Sequence, residues 1–188
     1  MKSTFGAVAV GCALLAGAAG VPRAATASPP PTFAAYIIDP AGHPLGMATF
    51  IGVDTGGVEI HVDVTGLTPG YHGLHIHEYG SCNALIDATG KVTPFAAAGG
   101  HFDPQTTGHH AGPDGAGHAG DLPNLEADQA GHAVTTFYDA RFSVHPGPLD
   151  IVGRSIVVHA NEDNYTDTPP NGGSGPRVAC GEIGALRS

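Results

Sequence analysis

The sequence predicts an all-β fold, a β-sandwich or barrel with two long loops, and three observations lead to this prediction. Of its 188 residues 29 are Gly and 16 are Pro, while only 13% are charged, a composition that disfavours a helical bundle. No stretch repeats its apolar residues at the helical period of about 3.6. Short apolar and β-branched segments recur instead, with turn sequences between the early ones.

The first three predicted strands are separated by turns. FAAYIID at 33–39 is apolar and β-branched and ends at the turn DPAGHP. MATFIGV at 47–53 ends at DTGG. VEIHVDVT at 58–65 alternates valine and isoleucine with polar residues and ends at TPG, as expected of a strand with one buried face.

Four further segments complete the predicted strands. HGLHIHE at 72–78 alternates aliphatic residues with histidine. AVTTFY at 133–138 and SIVVHA at 155–160 are rich in β-branched residues, and VACGEIGAL at 178–186 alternates. Seven or eight such strands in one domain are typical of a sandwich or barrel.

Two segments lack any strand pattern and are predicted to be functional loops. Residues 79–130 are rich in Gly, Pro, His and Asp, and residues 160–177 read ANEDNYTDTPPNGGSGPR. Loops of this length in a compact domain usually carry function or are disordered. The ligand-type side chains of the first loop favour function.

The N-terminus has the pattern of an export signal. Lys2 precedes an apolar stretch rich in Ala and Gly, and Ala25-Thr26-Ala27 offers a cleavage site. We therefore expect a signal peptide at 1–27, a linker at 28–32 and one domain at 33–188. The stretch is too short and too rich in Gly to predict a membrane span. An alternative is lipid attachment at Cys12, at the end of AVGC.

Charge and cysteine content restrict the partners further. The formal net charge is −10, which makes nucleic acid an improbable ligand. Signal cleavage would remove Cys12 and leave Cys82 and Cys180, and two cysteines in an exported chain predict one disulfide. A metal–thiolate role for this pair is the alternative, but it needs further ligands nearby.

Histidines supply the strongest chemical signal, since the chain contains 12 of them. His75 and His77 are two residues apart on a predicted strand, so their imidazoles point to the same face. Imidazole is a good ligand for copper and zinc. His159 ends another apolar strand and could face this pair. An H-x-H pair alone also fits two histidines without a metal.

A second cluster lies in the first long loop, where GGHFDPQTTGHHAGPDGAGHAGD contains four histidines and a terminal aspartate. Three imidazoles and one carboxylate match a four-coordinate zinc site. The residues alone leave open whether His109 or His110 is the ligand. A disordered histidine-rich tract is the alternative. The members of the cluster are His101, His109, His110, His118 and Asp121.

Five segments together resemble the copper/zinc superoxide dismutase family. They are GLHIHEYGSC, GGHFDP, HAGPDGAGHAGDLPN, GRSIVVHANED and GPRVACGEIG, and the resemblance extends from about residue 33 to 186. It implies a Greek-key β-sandwich, or flattened eight-stranded barrel, of immunoglobulin-like architecture. It also implies that superoxide is the substrate and that each chain holds one copper and one zinc.

The resemblance assigns the two ligand sets, with His101 shared between the metals. His109 is then an exposed neighbour of His110, which stands in the family pattern H-x-G-P. The implied copper ligands are His75, His77, His101 and His159, and the implied zinc ligands are His101, His110, His118 and Asp121.

Three further residues receive roles from the resemblance. Asp163 would link a copper-ligand histidine to a zinc-ligand histidine and so fix both rings. His72 would be a buried histidine that supports the copper strand. Arg177, one of five basic residues left after signal cleavage, would attract superoxide to the copper as a catalytic residue beside His101. His43, His61, His132 and His145 match no motif and are expected on the surface or in packing roles.

The short link EYGSC, with three residues between Glu78 and Cys82, resembles the bacterial periplasmic branch of the family. The expected location is therefore periplasmic or extracellular, and the expected oligomeric state is a homodimer or a monomer. Two other hypotheses stay open from the sequence. They are a copper-binding or copper-delivery protein on this fold and a related structural module that has lost its metals.

Overall fold

The computed structural model describes Met1 and residues 30–186, and these residues form strands and loops with no α-helix. Apart from Met1, the predicted signal peptide lies outside the described residues, and so does Cys12. Two short 3₁₀ turns occur, at Ala96–Ala98 and Pro170–Gly173. The strands are β1 (Thr32–Ile38), β2 (Pro44–Gly52), β3 (Val58–Val64), β4 (Gly70–His72), β5 (Leu74–His77), β6 (Leu85–Ile86), β7 (Val92–Thr93), β8 (Leu125–Ala127), β9 (Ala133–Asp139), β10 (Ser155–His159) and β11 (Arg177–Ala185).

Seven of these strands form one antiparallel sheet in the order β5-β10-β11-β1-β2-β3-β9. The side-chain period of two explains the burial of β3, where Val58, Ile60, Val62 and Val64 are buried while the residues between them face outward. All seven predicted strands are confirmed to within a few residues at their ends. The segment predicted at 72–78 is divided, because the chain changes partners at Gly73.

Strand β4 pairs with β8, while β5 pairs with β10 in the large sheet. β8 leads through the turn at 128–132 into β9, at the opposite edge of that sheet. With β4 and β5 counted as one continuous strand, eight strands therefore surround the core of the described domain. The predicted all-β barrel is confirmed, and the first long loop also contains the short strands β6, β7 and β8.

The main core fills this barrel and includes the buried side chains of Phe50, Ile60, Ile76, Phe142 and Ile156. Strands β5 and β10 are buried on both faces, because the two long loops cover the outer face that the other strands expose. The odd-numbered side chains of β5, His75 and His77, therefore lie under the loops rather than in water. This cover creates the interior of the candidate site.

Within the part of the chain that the structure describes, no helix has the length and apolar character needed to cross a membrane.

Candidate metal centre

The centre is built on β5, whose outward side chains are His75 and His77. Both are 0% exposed. The first long loop passes along this strand twice, so that His101 lies opposite His77 and Asp121 lies opposite His75 as isolated β-bridges. Backbone hydrogen bonds from Phe102 to Ile76 and from Ile76 to Gly120 hold the two passes in register. Distant ligand-type residues thus meet over a rigid strand.

One group of donor atoms combines residues from β5, β10 and the first loop. Each residue offers one ring nitrogen, and these nitrogens lie within 4.8 Å of one another. The members of this group are His75, His77, His101 and His159.

Hydrogen bonds determine which nitrogen of each ring faces the centre of this group. His77 donates its Nδ1 proton to the carbonyl of Gly99, and His159 donates its own to Gly175. Their Nε2 atoms therefore face each other, 3.5 Å apart. Nδ1 of His75 and Nε2 of His101 are buried without a hydrogen-bond partner. Buried polar atoms normally have partners, so these orphaned nitrogens fit a metal ligand set.

A second group surrounds one carboxylate oxygen, Oδ1 of Asp121. Nδ1 of His101 lies 2.9 Å from it, Nδ1 of His110 3.0 Å and Nδ1 of His118 3.4 Å. Ligands about 2.0–2.1 Å from a tetrahedral zinc ion are about 3.3 Å apart, so the spacing fits such a site. Nδ1 of His110 and Nδ1 of His118 are buried close to this oxygen but make no hydrogen bond, which also fits metal ligands.

His75, His101, His110 and Asp121 also offer one ligand atom each within 4.8 Å of one another. This alternative set contains His75 in place of His118. The other nitrogen of His75 is already committed to a carboxylate, and its free Nδ1 belongs to the first group. His118, 15% exposed at its side chain, approaches Asp121 from the solvent side. The donor accounting therefore favours His118 over His75 at the second site.

Asp163 connects the two groups from the second long loop. Its carboxylate accepts a hydrogen bond from Nε2 of His75 at 2.7 Å and another from Nε2 of His110 at 2.8 Å. All three side chains are fully buried. Nδ1 of His75 is thereby left to face the first group, and Nδ1 of His110 is left to face the second group.

Two residues that the sequence analysis did not identify hold Asp163 in place. The Asn124 side chain donates to the Asp163 carbonyl and accepts from its N–H, both at 2.9 Å. The hydroxyl of Tyr165 accepts a hydrogen bond from the Asn124 N–H. Asn124 falls within the quoted segment GDLPN, but only the folded chain reveals that it joins the two loops.

His72 occupies the supporting position expected of it. Its Nδ1 lies 2.7 Å from the carbonyl of His159 and its Nε2 lies 2.8 Å from that of Thr68. The ring is buried, and both of its nitrogens face backbone carbonyls. It ties β4 to the end of β10, where His159 begins the second loop.

Arg177 lies beside the first group, at the start of β11 and opposite His159. Its guanidinium donates to the carbonyls of Phe95 and Gly99, and Gly99 also accepts from His77. Burial lowers the pKa of Arg177, yet the ordinary value is so high that the side chain stays charged. A half-buried cation and a histidine of the first group therefore donate to the same carbonyl, that of Gly99.

The disulfide Cys82–Cys180 joins the loop after β5 to β11, with 5.7 Å between the two Cα atoms. Cys180 packs with Phe95, Ala98 and Val157 in a small cluster of its own. Because Phe95 carries one of the carbonyls that hold Arg177, this cluster positions the cation. The predicted disulfide is confirmed, and the metal–thiolate alternative is wrong.

Electrostatics divide the histidines into two classes. Burial lowers the pKa of His75 to about 3 and that of His159 to about 4, and it lowers the pKa of His77 and His101 as well. Burial opposes the charged form of His110 too, but the carboxylates of Asp121 and Asp163 raise its pKa to about 9. The first group is therefore made of neutral imidazoles, which are the form that binds a metal.

The two aspartates show the complementary effect. Burial would raise the pKa of each, but imidazole neighbours hold both well below the usual range. His101, His110 and His118 act on Asp121, and His110 and His75 act on Asp163. Both carboxylates are therefore ionised at neutral pH.

The remaining histidines lie away from the centre. The side chain of His109 is 72% exposed and contacts Asp167, whereas His110 is buried, which distinguishes the two alternatives that the residues alone left open. His43 contacts Asp39 and His132 contacts Asp63 at the surface. His61 contacts Thr136, and His145 is exposed.

Comparisons with known proteins agree over most of the chain. The family model described as "Copper/zinc superoxide dismutase (SODC)" matches residues 45–183. A protein named superoxide dismutase [Cu-Zn] from Deinococcus radiodurans is 43% identical over 159 residues, covering 83% of this chain and 86% of that protein. One from Brucella abortus is 48% identical over 130 residues, covering 68% and 72%.

A solved structure of the Cu/Zn superoxide dismutase from Brucella abortus superposes with a TM-score of 0.70 at 40% identity. The match covers 81% of this chain and 99% of that one. The similarity therefore includes the strands and both long loops that build the centre.

Proposed function

This chain belongs to the copper/zinc superoxide dismutase family and is a superoxide dismutase of bacterial type, and we propose which of its residues hold the copper and the zinc. The reaction converts two superoxide ions and two protons to one O₂ and one H₂O₂. Copper, when bound, supplies the one-electron oxidation and reduction, and zinc supplies a redox-inert positive charge.

Copper would be held by the first group. The donor atoms are Nδ1 of His75 and Nε2 of His77, His101 and His159. The two orphaned nitrogens and the depressed imidazole pKa values support this assignment. Four nitrogen donors are typical of copper rather than of magnesium or calcium, which prefer oxygen.

Zinc would be held by Nδ1 of His101, His110 and His118 together with Oδ1 of Asp121. The observation that carries this assignment is the convergence of three Nδ1 atoms on one carboxylate oxygen, at 2.9, 3.0 and 3.4 Å. Three nitrogens and one oxygen complete a tetrahedral set. No position is then left for a water, so this zinc would be structural rather than hydrolytic.

His101 would serve both metals, because its Nδ1 faces Asp121 and its Nε2 faces the first group. Its Nε2 is the atom best placed to carry a proton for the peroxide product. Burial lowers the pKa of this imidazole, which disfavours its doubly protonated form. His101 is therefore proposed as a catalytic residue.

Arg177 is proposed as the second catalytic residue, the one that binds superoxide. Its guanidinium shares the Gly99 carbonyl with His77, and its positive charge lowers the pKa of His77 and of His159. The chain as a whole carries a formal charge of −10 and would repel an anion elsewhere. A fixed local cation can guide an anionic substrate to one position.

The disulfide and the bacterial relatives are consistent with export. We propose that residues 1–27 direct the chain to the periplasm or the outside of the cell, and that 28–32 link them to a domain at 33–188. Protection against superoxide outside the cytoplasm would be the role. A homodimer or a monomer remains the expected state.

Metal analysis and a superoxide-decay assay on the same sample test this proposal. We expect about one copper and one zinc per chain and dismutation that cyanide inhibits. His159→Ala should lose copper and activity but keep zinc, whereas His118→Ala should lose zinc first. An active, copper-containing His159→Ala variant would refute the copper assignment. A fully metallated protein without activity would favour the copper-binding alternative.

A further inference from the structure

Arg141 contacts a proposed zinc ligand but belongs to none of the motifs described above. Its Nη2 donates a hydrogen bond to the backbone carbonyl of Asp121 at 2.8 Å. The same guanidinium binds the carboxylate of Asp139, through Nε at 3.0 Å and through Nη2 at 2.6 Å. One side chain therefore connects the zinc loop to the edge of the barrel.

The barrel end of this connection is rigid. Asp139 is the last residue of β9, pairs with Val58 of β3 and is 8% exposed. Its carboxylate also accepts from the backbone N–H of Arg141 at 2.8 Å. A fork of hydrogen bonds to a largely buried carboxylate fixes the guanidinium far better than a single exposed ion pair would.

The loop end is the residue on which the second group converges. The Asp121 N–H donates to His118, and its carboxylate faces His101, His110 and His118. The backbone carbonyl of Asp121 accepts its hydrogen bond from Arg141. A rotation of the peptide unit at Asp121 would swing Oδ1 away from the three imidazoles.

We infer that Arg141 is a positioning residue for zinc, which uses Asp139 as an anchor to hold the backbone of Asp121 so that Oδ1 stays at the centre of His101, His110 and His118. This inference rests on the zinc assignment proposed above. Arg141 touches neither the donor atoms nor the first group, so it acts through Asp121. Loss of residues that orient a metal ligand typically weakens metal binding about 10- to 100-fold.

The test measures zinc release from the disulfide-intact protein into an excess of a chromogenic chelator at pH 7. Arg141→Met removes the fork, Arg141→Lys keeps the charge alone, and Asp139→Asn weakens the anchor. Lys91→Met, on an exposed loop, removes the same charge without touching Asp121. We expect Arg141→Met to release zinc at least about tenfold faster, Arg141→Lys and Asp139→Asn to lie between, and Lys91→Met to match the parent protein.

A second readout separates positioning from general destabilisation. Cobalt(II) in place of zinc gives a visible spectrum that reports the geometry of its ligands. In the folded Arg141→Lys and Asp139→Asn proteins this spectrum should shift, even if Arg141→Met fails to fold. Release within twofold of the parent together with an unchanged cobalt spectrum in both folded variants would overturn the inference.

Asp121→Asn distinguishes this inference from the zinc assignment beneath it. If Asp121→Asn loses zinc while the Arg141 variants behave like the parent, the ligand assignment stands and the role of Arg141 is refuted. If Asp121→Asn binds zinc as tightly as the parent, the ligand assignment is refuted and the inference with it.

Discussion

Nε2 of His75 lies 2.7 Å from Oδ2 of Asp163, although the two residues are 88 positions apart in the chain. The contact joins the strand at the base of the centre to the loop above it. Because the same carboxylate also binds His110, one ionised group orients an imidazole of each proposed metal site. Copper and zinc binding should therefore be coupled through Asp163.

Replacement of Asp163 by asparagine tests this coupling. An amide has one oxygen that accepts hydrogen bonds and one NH₂ group that only donates them. It cannot accept an imidazole N–H at each terminal atom as the carboxylate does, so at least one ring loses its fixed orientation. We expect both metals to bind about 10- to 100-fold more weakly, as measured by competition with chelators. Glu162→Gln, which removes the same charge from an exposed neighbour, should leave both affinities unchanged.

Gly172 is expected to be essential for the same carboxylate. A Cβ at this position would collide with Oδ1 of Asp163 and lie 2.8 Å from Nε2 of His110. Gly172→Ala should therefore lower zinc content and accelerate zinc release, in addition to straining a backbone with a φ of +66°.

Gly108→Ala is the matched control for this change. Gly108 has a φ of +65° but open space around it, so its substitution introduces the backbone strain alone. That strain costs about 1–3 kcal/mol of stability. Equal zinc loss in both variants would show that strain, rather than contact with Asp163, is responsible.

The proposed role of Arg177 is to guide superoxide toward the first group. Arg177→Met should lower the second-order rate constant about tenfold, and the remaining rate should depend less on ionic strength, because steering of an anion requires a local cation. Copper and zinc content should be unchanged, since the side chain donates to carbonyls rather than to a ligand atom. Arg177→Lys should recover part of the salt dependence. Pulse radiolysis over a range of ionic strengths provides the measurement.

The metal-free protein should lose stability in mild acid. The folded pKa of His75 is about 3 and that of His159 about 4, both below an unfolded value near 6.5. Between these values the unfolded chain binds more protons, so the free energy of unfolding falls as the pH drops from about 6.5 toward 4. His110, whose pKa is raised to about 9, stabilises the folded state fully below pH 6.5 and loses that effect as the pH rises through 9.

Denaturant unfolding of the disulfide-intact apoprotein at pH 7, 5.5 and 4.5 measures the acid side. A free energy of unfolding that stays constant over this range would mean that the histidines of the first group are not held neutral by burial. His159→Gln, which does not titrate, should flatten part of the dependence.

The strands were predictable because a local signal encodes them. Alternation in VEIHVDV and in LHIH places one set of side chains inside the barrel and the other outside, and the structure follows both patterns. The break at Gly73 was not predictable, since it depends on β4 and β5 pairing with strands distant in sequence.

The candidate ligands were predictable for a different reason, namely that histidine and aspartate are the residue types that hold such metals. The residues alone did not decide between His109 and His110, and only the resemblance to the family favoured His110, because the choice depends on which ring is buried in the folded chain. Asn124 and Arg141 were missed because their contacts form only in the folded chain. Their contacts with Asp163 and Asp121 join segments about 39 and 20 residues apart, and no local pattern marks them.

The most direct test of the central claim is a crystal structure of the metal-loaded protein, with anomalous scattering collected at the copper and the zinc absorption edges. Copper is expected within bonding distance of Nδ1 of His75 and of Nε2 of His77, His101 and His159. Zinc is expected about 2.0–2.2 Å from Oδ1 of Asp121 and from Nδ1 of His101, His110 and His118. Zinc bound by His75 in place of His118, or one metal at both positions, would contradict the account.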